Sequence, residues 1–243
     1  MDRIDNKANY RSRSLVSGYD AQRRIGEDDY VNSVEVGYFV AQVRRLVGPS
    51  GSIIDMGAGT GKLSLAFAEL GYSVTAFDQS EAMLERLDAK ARERGLSITC
   101  RLGDIVADAP QGPVEPSYDV AVSSRVLMHV ADPDAMIGHM AALSCRGIVL
   151  DAPRRASPNR LLVGWRALTG GEVYRCFDDQ ELIQCINRNE SQVVDLTTLF
   201  VLPIGMHLLI NNEKISMLME GVFPRNLKIS STIFISARRS IKY

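Results

Sequence analysis

The sequence predicts an α/β fold in which helices cover a mostly parallel β-sheet. From residue 52 onward, short β-branched runs alternate with longer segments of helical periodicity, and this order is typical of such a sheet. The chain has 243 residues and is 46% apolar, which is enough to bury a sizeable core. We therefore expect a single globular domain.

The regular part of the pattern predicts five strands and three connecting helices. Ser80 is a suitable N-cap for the second helix, and Gly95 is a suitable end for it. The predicted strands are residues 52–55, 73–78, 97–102, 118–123 and 147–151, and the helices between them are residues 62–70, 80–95 and 132–143. A further helix is predicted at residues 28–48, where apolar residues recur at helical spacing after a polar arm.

The pattern becomes less regular after Asp151. Helices are predicted at residues 157–168, from residue 178 onward and within residues 205–221, and two more strands at residues 192–202 and 228–239. We expect an N-terminal arm and helix (1–49), a cofactor-binding core (50–151) and two substrate-lid insertions (152–191 and 203–228), because long insertions at one end of a parallel sheet usually shape a binding site.

Composition excludes several functional classes. Lys and Arg number 28 against 29 Asp and Glu, so no net positive field favours nucleic acid. The longest apolar run, residues 199–210, contains Pro203 and is shorter than the roughly 20 residues of a membrane helix. The N-terminus lacks the apolar core of a signal peptide, and the four cysteines lack metal-ligand spacing. We expect a cytoplasmic enzyme with free thiols, acting on a small molecule without nucleic acid or membrane.

The stretch "IIDMGAGTGKLS" at residues 53–64 is compatible with three kinds of nucleotide site. A Walker phosphate loop would need a glycine where Met56 stands and Ser or Thr where Leu63 stands. A dinucleotide fingerprint would need its third glycine at Lys62. Both patterns fail on residues that their chemistry requires.

An acid followed by alternate glycines remains, with Asp55 before Gly57, Gly59 and Gly61. The glycines allow a sharp turn and a close approach of ligand to backbone. The N-terminus of the following helix suits an anionic group such as a carboxylate, and Asp55 suits a cationic one. A ligand with an α-amino acid head and an adenosine tail would satisfy both features.

The chain here resembles the class I S-adenosylmethionine-dependent methyltransferases of the small-molecule branch, which acts on quinones and secondary metabolites. Four segments in register over about residues 50–151 carry the resemblance: "IIDMGAGTGKLS", "VTAFDQSEAML", "CRLGDI" and "YDVAVSSRVLMHVADPDAMIGHMAAL". The resemblance implies a Rossmann-like, doubly wound, seven-stranded and mostly parallel sheet whose last strand is antiparallel. The chain departs from the family pattern just before the fifth strand, where only Gly147 of the usual Gly-Gly turn is present.

The resemblance also implies S-adenosyl-L-methionine as cofactor and S-adenosyl-L-homocysteine as product. Asp78 would bind the ribose hydroxyls, Asp104 would accept from the adenine amino group, and Tyr19 resembles an arm residue that closes over the cofactor. The cofactor-binding residues predicted in this way are Tyr19, Asp55, Gly57, Ala58, Gly59, Asp78, Gln79, Met83, Gly103, Asp104, Ile105 and Ser123.

Residues for the acceptor are predicted beyond the fourth strand. His129 and His207 are candidate general bases, although each is equally open to a structural role. Arg125, Arg154 and Trp165 are candidate substrate-binding residues. The alternative is a solvated helix face for Arg154 and core packing for Trp165. No metal site is predicted, because Asp151 is the only acid suitably placed for one.

The sequence favours methyl transfer to a hydroxyl or amine of a small molecule. The segment from Ser123 to Val126 lacks the Pro-Pro-aromatic pattern of enzymes that methylate DNA bases. Two alternatives stay open, namely a methyltransferase acting on protein or RNA and a non-catalytic cofactor-binding regulator. A homodimer also stays open, since apolar residues in the insertions could face a second copy or a substrate.

Overall fold

The protein is represented by a computed structural model. It describes residue 20, residues 30–108, 115–157 and 174–202, residues 204, 207 and 210, and residues 212–222 and 230–240. The predicted helix at residues 157–168 therefore lies outside the described residues, apart from Ser157.

Seven strands in the described ranges form one sheet, in the order β3-β2-β1-β4-β5-β7-β6. The first five strands pair in parallel, and β7 is antiparallel to both β5 and β6. The predicted fold class, with its antiparallel last strand, is confirmed. The strands are β1 (Ser52–Met56), β2 (Ser73–Asp78), β3 (Ile98–Leu102), β4 (Tyr118–Ser123), β5 (Ser144–Pro153), β6 (Ser191–Leu199) and β7 (Thr232–Arg239).

Most helices begin and end within two residues of their predicted bounds. Ser80 caps α3 by accepting a hydrogen bond from the Met83 amide, and Asp132 caps α4 by accepting one from Ala135. The segment predicted to contain a helix at residues 205–221 contains α6. The helices are α1 (Tyr30–Val47), α2 (Lys62–Glu69), α3 (Glu81–Glu93), α4 (Pro133–Leu143), α5 (Asp179–Arg188) and α6 (Glu213–Gly221).

Apolar side chains fill the space on both faces of the sheet. Successive residues of a strand point to opposite faces, so Ile53 packs with α1 and α2 on one side, whereas Ile54 packs with α4 and α5 on the other. This arrangement satisfies the doubly wound prediction. The carboxyl ends of the parallel strands lie along one edge of the sheet, which is where open sheets of this kind bind ligands.

The close approach of β7 to β5 explains the glycine at position 147. A Cβ built on Gly147 would lie 2.1 Å from the carbonyl oxygen of Ala237. β5 is also longer than predicted, beginning at Ser144 rather than residue 147, because Ser144 pairs with Tyr118 of β4.

All four cysteines are free thiols. None of the helices in the described ranges is long and apolar enough to cross a membrane.

Candidate active site

A cavity opens at the carboxyl ends of β1, β2 and β4, and most of the predicted cofactor residues line it. Asp55 and Asp78 come from the ends of β1 and β2, and the loop after β4 forms the opposite side. The predicted site residues that line this cavity are Asp55, Gly57, Ala58, Gly59, Asp78, Gln79, Met83, Asp104, Ile105, Arg125 and His129.

Four predicted site residues lie elsewhere, and two fall outside the described residues. Ser123 is buried, and its hydroxyl donates to the Met56 carbonyl oxygen at 2.6 Å, joining β4 to β1. Gly103 lies in a neighbouring hollow with Gln79 and Asp104. His207 and Arg154 are not among the residues that line the cavity, and Tyr19 and Trp165 belong to the ranges that are not described.

The glycine turn after β1 brings the backbone against the opposite wall of the cavity. Gly57 has a φ of +81°, a left-handed conformation that favours glycine, and its amide donates to the Phe77 carbonyl oxygen at 2.8 Å. A Cβ at Gly57 would lie 2.3 Å from Val126 Cγ2. The turn and the loop after β4 are therefore in direct contact.

Asp78 ends β2 beside this turn. One carboxylate oxygen accepts from the Gly59 amide and the other from the Ser80 amide, each at 2.8 Å. Burial raises the pKa of Asp78 despite these amide donors. Since a carboxylate has about four lone-pair directions, each oxygen can accept a further hydrogen bond from a ligand in the cavity.

Asp55 and Asp104 place two more carboxyl groups along the same edge. Asp55 accepts from the Ser64 hydroxyl at 2.7 Å, and burial raises its pKa to about 6. Asp104 Oδ1 accepts from the Val106 and Ala107 amides, each at 3.0 Å. Because β3, β2 and β1 are neighbours in the sheet, acids from three adjacent strand ends follow one wall of the cavity.

The other wall contains a buried group of charged residues centred on Glu35 of α1. The fully buried carboxylate of Glu35 accepts from Lys62 and from Arg125, whose Nε and Nη2 lie 2.9 and 2.6 Å from Oε1. Burial alone would raise the pKa of Glu35, but the charges of Arg125 and Lys62 together hold it below its usual value. Glu35 is thus an anion with two cationic partners.

Asp151 holds the backbone of the same loop. Its carboxylate accepts from the Arg125 amide at 2.5 Å and from the Ser124 hydroxyl at 3.2 Å. Burial, reinforced by the charge of Glu35, raises the pKa of Asp151 to about 6. Arg125 itself has a φ of +59°, which is uncommon for a residue with a side chain.

No group of three His, Cys, Asp or Glu that could hold a metal ion occurs among the described residues.

The two candidate bases occupy different environments. His129 ends a short 3₁₀ turn, Leu127–His129, and lines the cavity. His207 is buried, donates through Nε2 to Glu220 Oε1 at 2.9 Å, and packs beside Tyr30 and Phe200. Of the two candidate bases, the geometry therefore brings only His129 to the cavity. None of the contacts described for His207 supports a catalytic role.

The arginines after β5 bind the acidic start of α5. Arg154 makes two hydrogen bonds to Asp179, at 2.8 and 2.6 Å, and Arg155 and Arg175 both bond Glu181. These contacts join the segment after β5 to α5. The predicted substrate role of Arg154 thus stays a prediction, and a structural role accounts for its contacts with Asp179.

Several cavity residues were not identified from the sequence. They are Asn32, Thr60, Lys62, Leu63, Val106, Ser124, Val126, Met128 and Val130, with Glu35 directly behind them. Glu35 could have been found, because it interrupts the apolar series Val31, Phe39 and Val43 on the buried face of α1. A charged residue at such a position needs a partner. The other residues line the cavity because of the geometry of the turn and of the loop after β4, and composition does not reveal that geometry.

Residues 53–146 match a family profile described as a methyltransferase domain. The ubiquinone biosynthesis O-methyltransferase of Caulobacter vibrioides is 37% identical over 95 residues, which are 38% of this chain and 36% of that protein. The enzyme of that name from Paramagnetospirillum magneticum is 28% identical over 124 residues, 51% of this chain and 47% of the relative. The matches thus cover about a third to a half of the length of these curated relatives.

Solved structures share the fold over a larger part of the chain. Magnesium protoporphyrin IX methyltransferase from Synechocystis PCC 6803, with bound SAH, has a TM-score of 0.65 at 21% identity and covers 97% of this chain and 100% of that one. The cyclase SpnF has a TM-score of 0.61 at 16% identity, covering 84% and 81%. The chain has the Rossmann-like fold of these proteins. Since a cyclase shares it, the fold alone does not fix the reaction.

Proposed function

We propose that this chain, with a methyltransferase domain over residues 53–146 and the Rossmann-like fold of class I methyltransferases, is an S-adenosylmethionine-dependent methyltransferase acting on a small molecule. The observation that carries the proposal is the line of three acids, Asp55, Asp78 and Asp104, that follow adjacent strands around one glycine turn. Phosphate-binding sites use amides and cations, so a wall of carboxylates favours a ligand rich in hydroxyl and amino groups.

The chemistry of the cavity residues supports S-adenosylmethionine as the ligand. Asp55 suits the amino group of the methionine part, Asp78 the ribose hydroxyls and Asp104 the adenine amino group. At Gly57 a side chain would collide with Val126, so glycine lets the turn and the loop after β4 meet at the edge of the cavity. When bound, the cofactor supplies a methyl group activated by the positive sulfonium.

The chain's contribution to such a transfer is to orient the acceptor, exclude water and remove a proton. In-line displacement needs the nucleophile about 3–3.5 Å from the methyl carbon. His129 lines the cavity on the side opposite the acids, and a neutral imidazole there would accept the proton of a hydroxyl acceptor. We assign the role of general base to His129 rather than His207.

The acceptor we favour is a hydroxyl of a ring-bearing small molecule. Support comes from the similarity to ubiquinone biosynthesis O-methyltransferases and from the apolar side chains of Met128, Val126 and Val130 next to His129 in the lining. Part of the predicted lid segment 152–191, α5, packs on a face of the sheet instead of over the cavity. We propose that the rest of this segment and residues 203–228 form the lid over the acceptor. We place the enzyme in the cytoplasm and leave both an amine acceptor and a homodimer as alternatives to be tested.

Calorimetry and a product assay test the proposal. We expect S-adenosylmethionine and S-adenosylhomocysteine to bind more tightly than millimolar, and a panel of phenols, sugars and amines to yield an acceptor that gains the mass of one methyl group. Absence of cofactor binding would reject the assignment. Binding without transfer to any panel member, but with labelling of protein or RNA, would favour a macromolecular acceptor. Binding with no transfer at all would favour a regulator.

A further inference from the structure

Glu35, which belongs neither to the loop after β4 nor to the glycine turn, connects the two. Glu35 lies on α1 and contacts Lys62, the first residue of α2, and Arg125, in the loop after β4. Lys62 and Arg125 line the cavity, whereas Glu35 is fully buried behind them. The helix that the sequence assigned to an N-terminal arm thus forms part of the wall of the site.

Lys62 and Arg125 both depend on the carboxylate of Glu35 to balance their charge. Lys62 also donates to the Ser124 hydroxyl at 3.2 Å, but burial lowers the pKa of its ammonium and Glu35 opposes that effect. Arg125 makes two hydrogen bonds to a single oxygen of Glu35. Removal of one partner from a buried ion pair leaves an uncompensated charge, which is strongly destabilising locally.

Arg125 is held at both its side chain and its backbone. Glu35 binds the guanidinium, Asp151 accepts the amide hydrogen, and the residue keeps a positive φ of 59° between these contacts. A non-glycine residue in that conformation persists only when its surroundings impose it, and such residues concentrate at functional sites. The next residue, Val126, is the one that packs on Gly57.

We propose that Glu35 is a positioning residue for methyl transfer, which fixes the loop carrying His129 relative to the glycine turn that binds the cofactor. The carboxylate acts through Lys62 and Arg125 and does not itself face the cavity. This role rests on the proposed function, because the turn and the loop would hold the methyl donor and the acceptor. Its consequence is that the loop, which lines the same cavity as the turn, is held in place before the cofactor binds.

Hydrogen exchange followed by mass spectrometry tests the role, with S-adenosylhomocysteine as the probe. In the unaltered protein we expect the probe to protect residues 57–62 and also residues 124–130. In Glu35→Gln, which keeps the side-chain volume but loses the charge, we expect protection of the turn only. Without probe, exchange at 124–130 should rise roughly tenfold or more, with α3 unchanged.

Two further variants make the result decisive. Glu69→Gln is the matched control, because Glu69 pairs with Arg94 on the surface and should leave both segments unchanged. Glu35→Asp keeps the charge but has one methylene less, so it should fold even if Glu35→Gln does not, and should still uncouple the loop. Equal exchange increases throughout the protein would mean a structural role only and would overturn the proposal, as would retained probe protection at 124–130.

The experiment distinguishes failure of the proposed function from failure of the positioning role of Glu35. If the probe does not bind the unaltered protein, the cofactor assignment fails, and exchange without probe still tests whether Glu35 holds the loop. If the probe binds and protects both segments equally in Glu35→Gln, the cofactor assignment stands and the positioning role is wrong.

Discussion

Gly57 lies so close to Val126 that a Cβ on the glycine would be 2.3 Å from Val126 Cγ2. Gly57→Ala therefore adds a clash to the strain of a positive φ. We expect it to lower the free energy of unfolding by about 2–4 kcal/mol, through strain and overpacking together, and to weaken S-adenosylhomocysteine binding. Gly71→Ala is the matched control, since Gly71 has a φ of +86° and open space around it. Equal losses in the two variants, measured by urea denaturation, would contradict the clash.

Asp78→Asn should weaken cofactor binding while the protein stays folded. The amide keeps the shape of the carboxylate but loses charge and acceptor capacity, and hydrogen bonds to charged groups contribute about 1.5–3 kcal/mol, so we expect roughly 10- to 100-fold weaker binding of S-adenosylhomocysteine. Calorimetry measures this directly. Asp88→Asn, on the exposed side of α3, provides the control. Unchanged affinity in Asp78→Asn would remove the ribose-binding role.

His129→Gln separates catalysis from cofactor binding. A glutamine keeps hydrogen-bonding capacity but cannot accept a proton near neutral pH, so turnover with a hydroxyl acceptor should fall roughly 10²- to 10⁴-fold while S-adenosylhomocysteine affinity is kept. The fall of the rate at acidic pH, which reports protonation of the base, should also disappear. If the pH profile of the variant keeps its acidic limb, another group is the base.

Asp151→Asn should change how stability depends on pH. The pKa of Asp151 in the folded protein is about 6, above its ordinary value of 3.8, so its contribution to stability is full below about pH 4 and is lost as the pH rises through 6. Asparagine does not ionise. Between pH 4 and 7 the free energy of unfolding of the variant should therefore rise relative to that of the unaltered protein, by up to roughly 3 kcal/mol.

Asp119→Asn supplies a control of opposite sign. The amide and hydroxyl of Ser52 hold the pKa of Asp119 below its usual value, so the ionised form stabilises the fold above that value and the stabilisation is lost on acidification. Relative to the unaltered protein, Asp119→Asn should thus lose stability as the pH rises from acid to neutral. Parallel trends in the two variants, measured by thermal unfolding across this range, would refute the assignment for Asp151.

Gly147→Ala should be severely destabilising, because a Cβ would lie 2.1 Å from the Ala237 carbonyl oxygen, a backbone atom that cannot move aside without separating β5 from β7. We expect a loss of about 3 kcal/mol or more in the free energy of unfolding, at the upper end for overpacking. Gly37→Ala on the exposed face of α1 should instead stabilise by about 0.5–1 kcal/mol. Chemical denaturation of both variants checks the contrast in sign.

The sequence was sufficient for the parts of the site that are local. Asp55, Gly57 and Gly59 come from one short stretch, and Asp78 ends the next strand, so spacing along the chain predicted their common location. The order of alternating strands and helices likewise predicted the sheet. Each of these inferences depended on residues close together in sequence.

The remaining parts depend on contacts between distant residues. Glu35 and Arg125 are separated by 90 positions, and no spacing rule relates them. Arg154 was expected at the substrate because the arginines that cluster after the fifth strand could anchor an anionic group of the acceptor, yet its guanidinium donates to Asp179 of α5. Apolar patterning predicts which face of a helix is buried, but not which buried charge meets which partner.

The position of β7 has a consequence for the order of assembly. β7 follows β6 in the chain but lies between β5 and β6 in the sheet, so β6 reaches the sheet only through residues 232–239, which pair with both β5 and β6. While the chain is being synthesised, β1 to β5 can form their parallel pairs, whereas β5 keeps an open edge. That edge is a site for mispairing and aggregation during folding, and β7 closes it.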